Sequence, residues 1–321
     1  MLNIPEEIAK RLGINQRSVE ATIGLLDEGA TIPFISRYRK ECTGSLNEVD
    51  IREIETLYHQ LQELEKRKLY ILTTIEGQGA LTDELRKKIE EATDANTIED
   101  LYLPFKPRRR TRATVAKARG LEPLAKVIMS QSASNIQSLA KKYITDEVPT
   151  TQDALNGASD IIAEWVSENV KARSWVRNKM KKTAVVSSKI ARGKGDEADK
   201  YRNYENFSRP ISRCSSHHIL AINRGEREGM LKIGIEINDD DALDFLENIF
   251  IKKSCSEDCA DLVRGAIEDS YDRLMLPSIE NEVSAIWKQK ADEEAIKLFA
   301  DNLRQLLMGA PLAHKRVMGM D

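Results

Sequence analysis

The feature that most restricts the fold of this chain is a helical spacing of apolar residues. The clearest series consists of Ile51, Ile54, Leu57, Leu61 and Leu64. Intervals of three or four residues place such side chains on one face of an α-helix, where they can pack against a core. The series predicts a single long helix over residues 48–75.

The same criterion predicts helices in most of the remaining chain. Apolar side chains from Cys259 to Leu274 keep this spacing, and Pro277 should end or kink that helix. Two further helices are expected at 279–290 and 291–308. Others are expected near residues 5–12, 16–27, 82–92, 121–131, 135–144 and 152–169. The chain is therefore predicted to be mainly α, with an elongated, multi-helical N-terminal region.

One segment departs from the helical pattern. After HILAIN at 218–223 and a turn that contains Gly225 and Gly229, the run MLKIGIEI at 230–237 alternates apolar with polar or small residues. Alternation with period two is typical of a half-buried strand, and glycines suit a tight turn. The sequence predicts one small β-hairpin here.

A polar stretch at 191–210 contains two glycines and has little periodicity, so we place the main domain boundary there. We expect a helical domain over 1–190 and a second part over 191–321, which combines the hairpin with long helices. No apolar run approaches the ~18 residues of a membrane span, and the N-terminus lacks the apolar core of a signal peptide. We expect a cytoplasmic protein with no membrane partner.

Residues 8–26 have the spacing of a helix-turn-helix. Ala9 is small where two helices must approach, Gly13 suits a left-handed turn, and Val19 can pack the second helix back. Because few residues there are basic, a nucleic-acid-reading pair and an ordinary helical hairpin are equally consistent with the pattern. A second short basic segment, RYRKECTG at 37–44, is expected to be a solvated loop.

Positive charge is concentrated in two runs that contain no acid, although the formal net charge is only -3. Residues 106–119 hold seven Lys or Arg directly after Tyr102 and Phe105, and residues 171–195 hold nine. Arginine forks match phosphate oxygens, and an adjacent aromatic ring can stack on a base. The runs predict contact with RNA or DNA without sequence specificity. The alternatives are a solvated loop or a cationic surface docked on carboxylates of the same chain.

The candidate nucleic-acid contacts combine aromatic with basic side chains. They are Tyr102, Phe105, Lys106, Arg108, Arg109, Arg110, Arg112, Lys117, Arg119, Arg173, Arg177 and Lys181. The two aromatic rings would stack on bases, and the cations would neutralise phosphate charge.

The sequence offers little for catalysis or metal binding. The P-loop, nucleophile-elbow, zincin and strand-linked dinucleotide-binding patterns do not occur in it, so we predict neither an enzyme nor a cofactor. Cys255 and Cys259 lack the two-residue spacing that is usual in zinc sites, and Cys259 is expected to be a buried core thiol. The three acids at 239–241 are expected to begin a helix, where the macrodipole favours them.

Four long strings taken together resemble the Tex family of bacterial transcription accessory proteins. They are EGATIPFISRYRKECTGSLNEV at 28–49, EDLYLPFKPRRRTRATVAKARGLEPLA at 99–125, NRGEREGML at 223–231 and ADEEAIKLFADNLRQLLMGAPLAHKRVMGMD at 291–321. The resemblance implies a helix-rich N-terminal region with a helix-turn-helix-like part. In the family, a YqgF/RNase H-like domain, helix-hairpin-helix modules and an OB-fold RNA-binding domain follow.

The resemblance also implies that the chain is an N-terminal part, truncated before the RNase H-like domain, because KRVMGMD is similar to the start of that domain's first strand. Asp321 matches the first acid of an RNase H-like site, but a terminal acid without partners cannot hold a metal, so no nuclease activity is expected. We expect a non-enzymatic, nucleic-acid-associated scaffold, with RNA polymerase or other transcription proteins as further partners. The alternative is a protein-interaction module that contacts the transcription machinery without touching nucleic acid.

Overall fold

The computed structural model describes residues 3–106, 110–132, 135–194, 197–253, 255–309 and 318. Within these residues the chain forms sixteen α-helices and one three-stranded antiparallel sheet, which confirms the mainly α prediction. None of the helices in this part of the chain is both long and apolar enough to cross a bilayer. The chain divides into two compact units, Met1–Arg109 and Arg110–Asp321.

The first unit is built around one long helix. Its helices are α1 (Ile4–Leu12), α2 (Gln16–Asp27), α3 (Ile32–Tyr38), α4 (Lys40–Thr43), α5 (Glu48–Gly77), α6 (Asp83–Glu91) and α7 (Ala95–Tyr102), and a short 3₁₀ turn follows at Leu103–Phe105. A capping box between Asn47 and Asp50 starts α5. Ile51, Ile54 and Leu61 are buried along it, so the helix predicted at 48–75 is confirmed.

Helices α1 and α2 have the geometry that the sequence pattern requires. Gly13 ends α1 with φ at 67°, in the left-handed region that glycine adopts without strain. Asn15 caps α2 by accepting from the Arg17 backbone N–H, and Val19 is fully buried. The helical pair is therefore present, and contact of α2 with nucleic acid remains a proposal.

The segment at 37–44 is not the solvated loop that we expected from its charge. It forms the end of α3 and all of α4, because Pro33 lies in the first turn of α3 and buried Ile35 and Thr43 anchor the two helices. The basic side chains between these anchors are exposed.

The second unit contains the remaining helices and the sheet. The helices are α8 (Arg112–Ala118), α9 (Glu122–Ser130), α10 (Ile136–Ala140), α11 (Thr151–Ser167), α12 (Val170–Thr183), α13 (Ser216–Arg227), α14 (Asp239–Phe250), α15 (Glu257–Asp269) and α16 (Leu276–Leu307). Short 3₁₀ turns lie at Lys141–Tyr143, Asp199–Tyr204 and Ile211–Arg213, and a π-helical turn lies at Ser270–Met275. The strands are β1 (Val185–Ile190), β2 (Phe207–Pro210) and β3 (Leu231–Glu236).

Helix α11 lies at the centre of this unit. Its residues Ala158, Ile161 and Ile162 are fully buried, and it packs against α8, α9 and α15. A Cβ on Gly157 would lie 2.4 Å from Cδ1 of Leu121, so the absent side chain permits this close approach. Cys259 is buried in the same core, which confirms the expected core thiol.

The sheet corrects the hairpin prediction. Strand β1 is central, with β2 and β3 antiparallel on either side of it. The expected first arm, 218–223, belongs to α13, because Ile219, Ile222 and Gly225 share a buried helical face. The alternating run after residue 230 does form a strand, but its partner is β1. The described residues of the stretch at 191–210 supply β2 to the same sheet.

The C-terminal helices differ from the expected pair. Residues 276–307 form one continuous helix, α16, instead of separate helices at 279–290 and 291–308. Pro277 lies in its first turn, directly after the π-helical turn at Ser270–Met275 that separates α15 from α16, so a local change of helix geometry accompanies the proline. The acids at 239–241 occupy the first turn of α14, as predicted.

Candidate nucleic-acid interface

Tyr102, expected to stack on a base, belongs to the core of the first unit. Its side chain is 2% exposed, and its ring lies edge-on to Tyr70 with centroids 6.5 Å apart. The Arg67 guanidinium lies 5.5 Å from the Tyr102 ring centre and pairs with Glu99 at 2.6 Å. Burial is the largest cause that raises the Tyr102 pKa. Its ring is not available to a base, so this prediction is wrong.

The next residues of the run lie at the surface of the first unit. Phe105 is half-buried against the core, and its carbonyl accepts a hydrogen bond from Gln78 at 3.0 Å. Lys106 is exposed. Arg108 and Arg109 lie outside the described residues.

Helix α8 positions the cations at the start of the second unit. Thr111 and Thr114 form a capping box that begins the helix. Arg110 and Arg112 are exposed, and neither has an ion pair within 4 Å in the described residues. The Arg112 charge nevertheless acts on the partly buried carboxylates of Asp160 and Asp269. Arg119 is also exposed, and its ion pair with Glu147 is long, at 3.9 Å.

The Lys117 side chain is held by a buried carboxylate inside the second unit. Its Nζ lies 2.7 Å from a carboxylate oxygen of Glu164, whose side chain is only 7% exposed. The Thr111 hydroxyl donates to the same carboxylate at 3.2 Å. A carboxylate this deeply buried requires such partners, so Lys117 is committed within the protein.

The second basic run contains two buried guanidinium groups. Arg173 and Arg177 are each 5% exposed on the face of α12 that packs against α16. Arg177 pairs with Glu282 at 2.6 Å, and Arg173 donates to the Ser278 hydroxyl at 3.2 Å. Both were expected to face phosphate, and burial overturns that prediction. Lys181 is half-buried in the last turn of α12, where a cation is favourable to the helix dipole.

The sheet brings together two cations that the sequence analysis did not connect. Lys189 of β1 lies directly opposite Lys232 of β3, and both side chains are exposed. Like charges in directly opposed positions repel each other unless an anion compensates them. Alternation in β3 predicted that Lys232 faces solvent, but no local pattern reveals its partner strand.

A second surface missed by the sequence analysis lies on α3 and α4. Phe34 and Tyr38 are 41% and 68% exposed, with ring centroids 5.5 Å apart. The Arg39 guanidinium lies 5.3 Å from the Phe34 ring centre, and Arg37 and Lys40 are exposed. Because these rings are exposed and lie among cations, they can stack on bases, which the buried ring of Tyr102 cannot do. The sequence PFISRYRK could have predicted this surface, because the aromatic residue Phe34 precedes the basic residues of the segment.

No group of three or more His, Cys, Asp or Glu residues in the described ranges has the arrangement of a metal site. Cys255 and Cys259 are close enough for each to act on the other, and burial is the largest cause that raises the Cys255 pKa. A raised pKa keeps this thiol protonated and makes it a poor ligand and nucleophile.

These features define a helix-rich protein with exposed basic and aromatic side chains in both of its units. Residues 2–76 match the Tex-like protein N-terminal domain, and residues 131–299 match the Tex central region-like family. The chain belongs to the Tex family.

Similar curated proteins cover almost the whole chain. It is 41% identical over 324 residues to Uncharacterized protein YdcI of Bacillus subtilis (strain 168), covering 99% of this chain and 45% of the relative. It is 35% identical over 324 residues to Transcriptional accessory protein Tex of Neisseria gonorrhoeae, and the match covers 100% of this chain and 43% of the relative. It is 28% identical to S1 RNA-binding domain-containing protein 1 of Homo sapiens, and the match covers 98% of this chain and 33% of the relative. The chain thus spans less than half the length of these relatives.

Proposed function

We propose that this chain is a non-enzymatic, nucleic-acid-associated scaffold that contacts phosphates without reading sequence. The observation that carries the proposal is the exposure of Arg110 and Arg112. Arg110 forms no ion pair within the described residues, and the exposed Arg112 has none within 4 Å, although its charge also acts on the carboxylates of Asp160 and Asp269. Guanidinium groups in this state can exchange condensed counterions for phosphate contacts, which is the main source of non-specific affinity. The expected cytoplasmic location and the transcription proteins as partners belong to the same proposal.

Two other surfaces support contact with a nucleic acid. The repulsion between Lys189 and Lys232 is relieved when a phosphate lies between them. The exposed rings of Phe34 and Tyr38 can stack on unpaired bases, which favours single-stranded RNA or DNA. One relative carries S1 RNA binding in its name and another is named a transcriptional accessory protein, and both names agree with this role.

The alternative is a protein-interaction module whose basic runs are internal docking surfaces. It is favoured by the ion pairs Lys117–Glu164, Arg177–Glu282 and Lys179–Asp241, which commit three cations of the two runs within the protein. The ion-paired cations lie beside exposed cations in the sequence. Both functions give the ion-paired cations the same internal role, so they differ only in whether the exposed cations bind phosphate.

A salt titration distinguishes the two functions. Binding of a fluorescein-labelled single-stranded RNA and of a DNA duplex is measured by anisotropy between about 50 and 200 mM salt. We expect log K to fall with log salt. The triple variant R110A/R112A/R119A should lower the magnitude of that slope by roughly two to three, because each lost phosphate contact contributes about 0.9.

A matched triple variant removes three exposed cations elsewhere, R52A/K87A/K88A, and should leave the slope close to that of the unmodified protein. Circular dichroism verifies that both variants are folded. Absence of RNA and DNA binding at the lowest salt would overturn the proposal and favour the interaction module. Equal slopes for the two triple variants would show that α8 is not the contact surface.

A further inference from the structure

The two edges of the three-stranded sheet differ in their capacity to accept another strand. Strand β1 is central, so β2 and β3 each have one edge that no strand of the described chain covers. In an antiparallel pair, the backbone groups of successive residues point alternately toward the partner strand and away from it. The register of each pair therefore shows which residues point outward.

Ile233 and Ile235 are outward-facing residues of β3. The Ala191 N–H donates to the Met230 carbonyl at 2.8 Å, so residue 230 is a hydrogen-bonded position that faces the β1 side. Every second residue after Met230 faces β1 in the same way, and the N–H and C=O groups of Ile233 and Ile235 point away from it. Within the described residues these outward groups have no hydrogen-bond partner.

The edge of β2 is protected, whereas the edge of β3 is open. In β2 the outward positions are Ser208 and Pro210, and the proline has no N–H to offer. Proteins often block an exposed edge with a proline or a bulge. Strand β3 has six residues without a proline, and its register with β1 is continuous. Its Lys232 points to the opposite face of the sheet from Ile233, since side chains alternate along a strand.

A cleft of about 370 Å³ lies beside the open edge, between the sheet, α13 and α16. Consecutive residues 233–236 line it, so it borders the edge of β3 as well as one face of the strand. Its apolar wall includes Ile233 and Ile235 of β3, Ile222 of α13 and Trp287 of α16. Unpaired backbone groups and an apolar recess large enough for a ligand are therefore adjacent.

The cleft also contains a donor that lacks an acceptor. The indole Nε1–H of Trp287 is buried and has no hydrogen-bond partner within the described residues. A buried donor without an acceptor is unfavourable, so a ligand that supplies an acceptor is favoured. Glu226 and Glu280 line the same cleft and disfavour an acidic ligand. The cleft therefore suits a ligand with apolar groups, a hydrogen-bond acceptor and no negative charge.

We propose that a partner protein inserts an extended segment into this cleft as an antiparallel fourth strand beside β3. Its backbone pairs with the outward groups of Ile233 and Ile235, which is recognition by strand addition. One of its carbonyls supplies the acceptor for the Trp287 indole. Because side chains alternate along a strand, the segment has apolar residues at every second position, facing the cleft, and no acid among them.

A peptide backbone carries both the donors and the acceptors that the edge of β3 leaves unpaired. None of the proposed nucleic-acid contacts lines this cleft, so the salt titration and the peptide experiment can fail independently.

An NMR titration with a blocked peptide tests the site. The probe is Ac-Lys-Thr-Val-Thr-Leu-Thr-Val-Thr-Lys-NH₂, which alternates apolar with polar residues and is added to deuterated, ¹⁵N-labelled protein. We expect saturable shifts of the Ile233 and Ile235 amides and of the Trp287 indole N–H. Exchange of the two amides with solvent should slow in the complex. The variant W287F assigns the indole signal among the three tryptophans of the chain.

Two N-methylated peptides are the ligand controls. In an antiparallel pair, the peptide residues whose side chains face the cleft also direct their N–H groups toward β3. Methylation of the central leucine nitrogen should therefore weaken binding by about tenfold or more, because it removes a donor to β3. Methylation of a neighbouring threonine nitrogen affects only the outer edge of the peptide and should have little effect.

The matched protein variants place proline at an outward position of each edge, I235P in β3 and S208P in β2. Proline is tolerated at such positions, since the outward N–H makes no bond within the sheet. I235P should abolish peptide binding, whereas S208P should leave it unchanged, and a thermal scan verifies that both are folded. W287F keeps an aromatic ring without the indole donor and should weaken binding severalfold, which provides a test that does not depend on I235P.

Four results would overturn the proposal. The first is an absence of saturable binding by the unmodified peptide, and the second is equal binding of the two N-methylated peptides. The third is equal binding by I235P and the unmodified protein. The fourth is binding that leaves the Ile233 and Ile235 amides unshifted, which would place the peptide elsewhere on the protein.

Discussion

The guanidinium of Arg177 donates to the carboxylate of Glu282 at 2.6 Å and joins α12 to α16. The two residues are 105 positions apart in the chain, and their side chains are 6% and 22% exposed. In the sequence, Arg177 is one of nine cations in an acid-free run, whereas in the fold it is one half of a mostly buried ion pair. Local charge density therefore does not measure the charge available to a partner.

Replacing Arg177 with methionine should destabilise the second unit by about 2–4 kcal/mol, because Glu282 loses its charged partner in a half-buried position. Urea unfolding followed by circular dichroism measures the loss. The double variant R177M/E282L should recover most of it, since a well-packed apolar pair can replace a buried ion pair. A variant R177M with unchanged stability but a reduced salt slope for RNA binding would contradict the structural role.

Replacing Lys189 with threonine should stabilise the protein slightly, by about 0.2–0.5 kcal/mol, because it removes repulsion from Lys232 across the strand pair. The gain should shrink at high salt, where the repulsion is screened. Thermal unfolding at low and high salt measures it. K142T, at an exposed lysine outside the sheet, is the control and should show no such salt dependence.

The double variant K189T/K232T sharpens this prediction. Once one lysine is removed, the second substitution should add no further electrostatic gain, so the two effects should not be additive. Additive gains would show that the two lysines act independently.

Replacing Gly44 with alanine should cost more than replacing Gly29. Both glycines have positive φ, 70° and 85°, so each substitution carries a backbone cost of about 1–2 kcal/mol. At Gly44 the new Cβ would also lie 2.7 Å from Oγ of Ser18, whereas at Gly29 it meets no atom within 4 Å. The difference between the urea midpoints of G44A and G29A isolates this contact. Adding S18A to G44A should remove the difference, and its persistence would exclude Ser18 as the cause.

Acid should destabilise the fold through Glu228. Its carboxylate accepts from Lys200, from the Tyr201 hydroxyl at 2.9 Å and from Arg224 at 3.1 Å. These contacts, of which the Lys200 hydrogen bond is the largest cause, lower the Glu228 pKa from 4.5 to about 2. The unfolded chain binds the proton more tightly, so the contribution is complete above about pH 5 and disappears as the pH falls toward 2.

The variant E228Q measures this contribution. Its thermal midpoint should lie below that of the unmodified protein near neutral pH, and the gap should close on acidification. A gap that is constant between neutral and acid pH would show that the carboxylate charge is not involved.

Local signals in the sequence predicted most helices well. The helix expected at 16–27 is α2 with the same bounds, because an Asn cap and a buried apolar face are both encoded within a few residues. The failures have local causes as well. HILAIN is short enough to be read as a strand or a helix, and the break expected between residues 290 and 291 is absent because α16 is continuous there. The end or kink expected near Pro277 is present, since α15 ends at Asp269 and a π-helical turn precedes α16.

The candidate interface was predicted less completely than the fold. The sequence located both basic runs, and within them Arg110, Arg112 and Arg119 are exposed as expected. Tyr102, Arg173 and Arg177 are buried, since their partners come from other segments of the chain. The opposed pair Lys189 and Lys232 depends on strand pairing over a long loop, which no short pattern specifies.

By itself the sequence determined the helical class, the positions of most helix ends and the placement of charge along the chain, because these depend on interactions among neighbouring residues. The tertiary structure alone decided which cations are paired, which rings are exposed and which acids line a cleft. Those outcomes depend on contacts between residues far apart in the chain, and the packing of the core determines which of them meet.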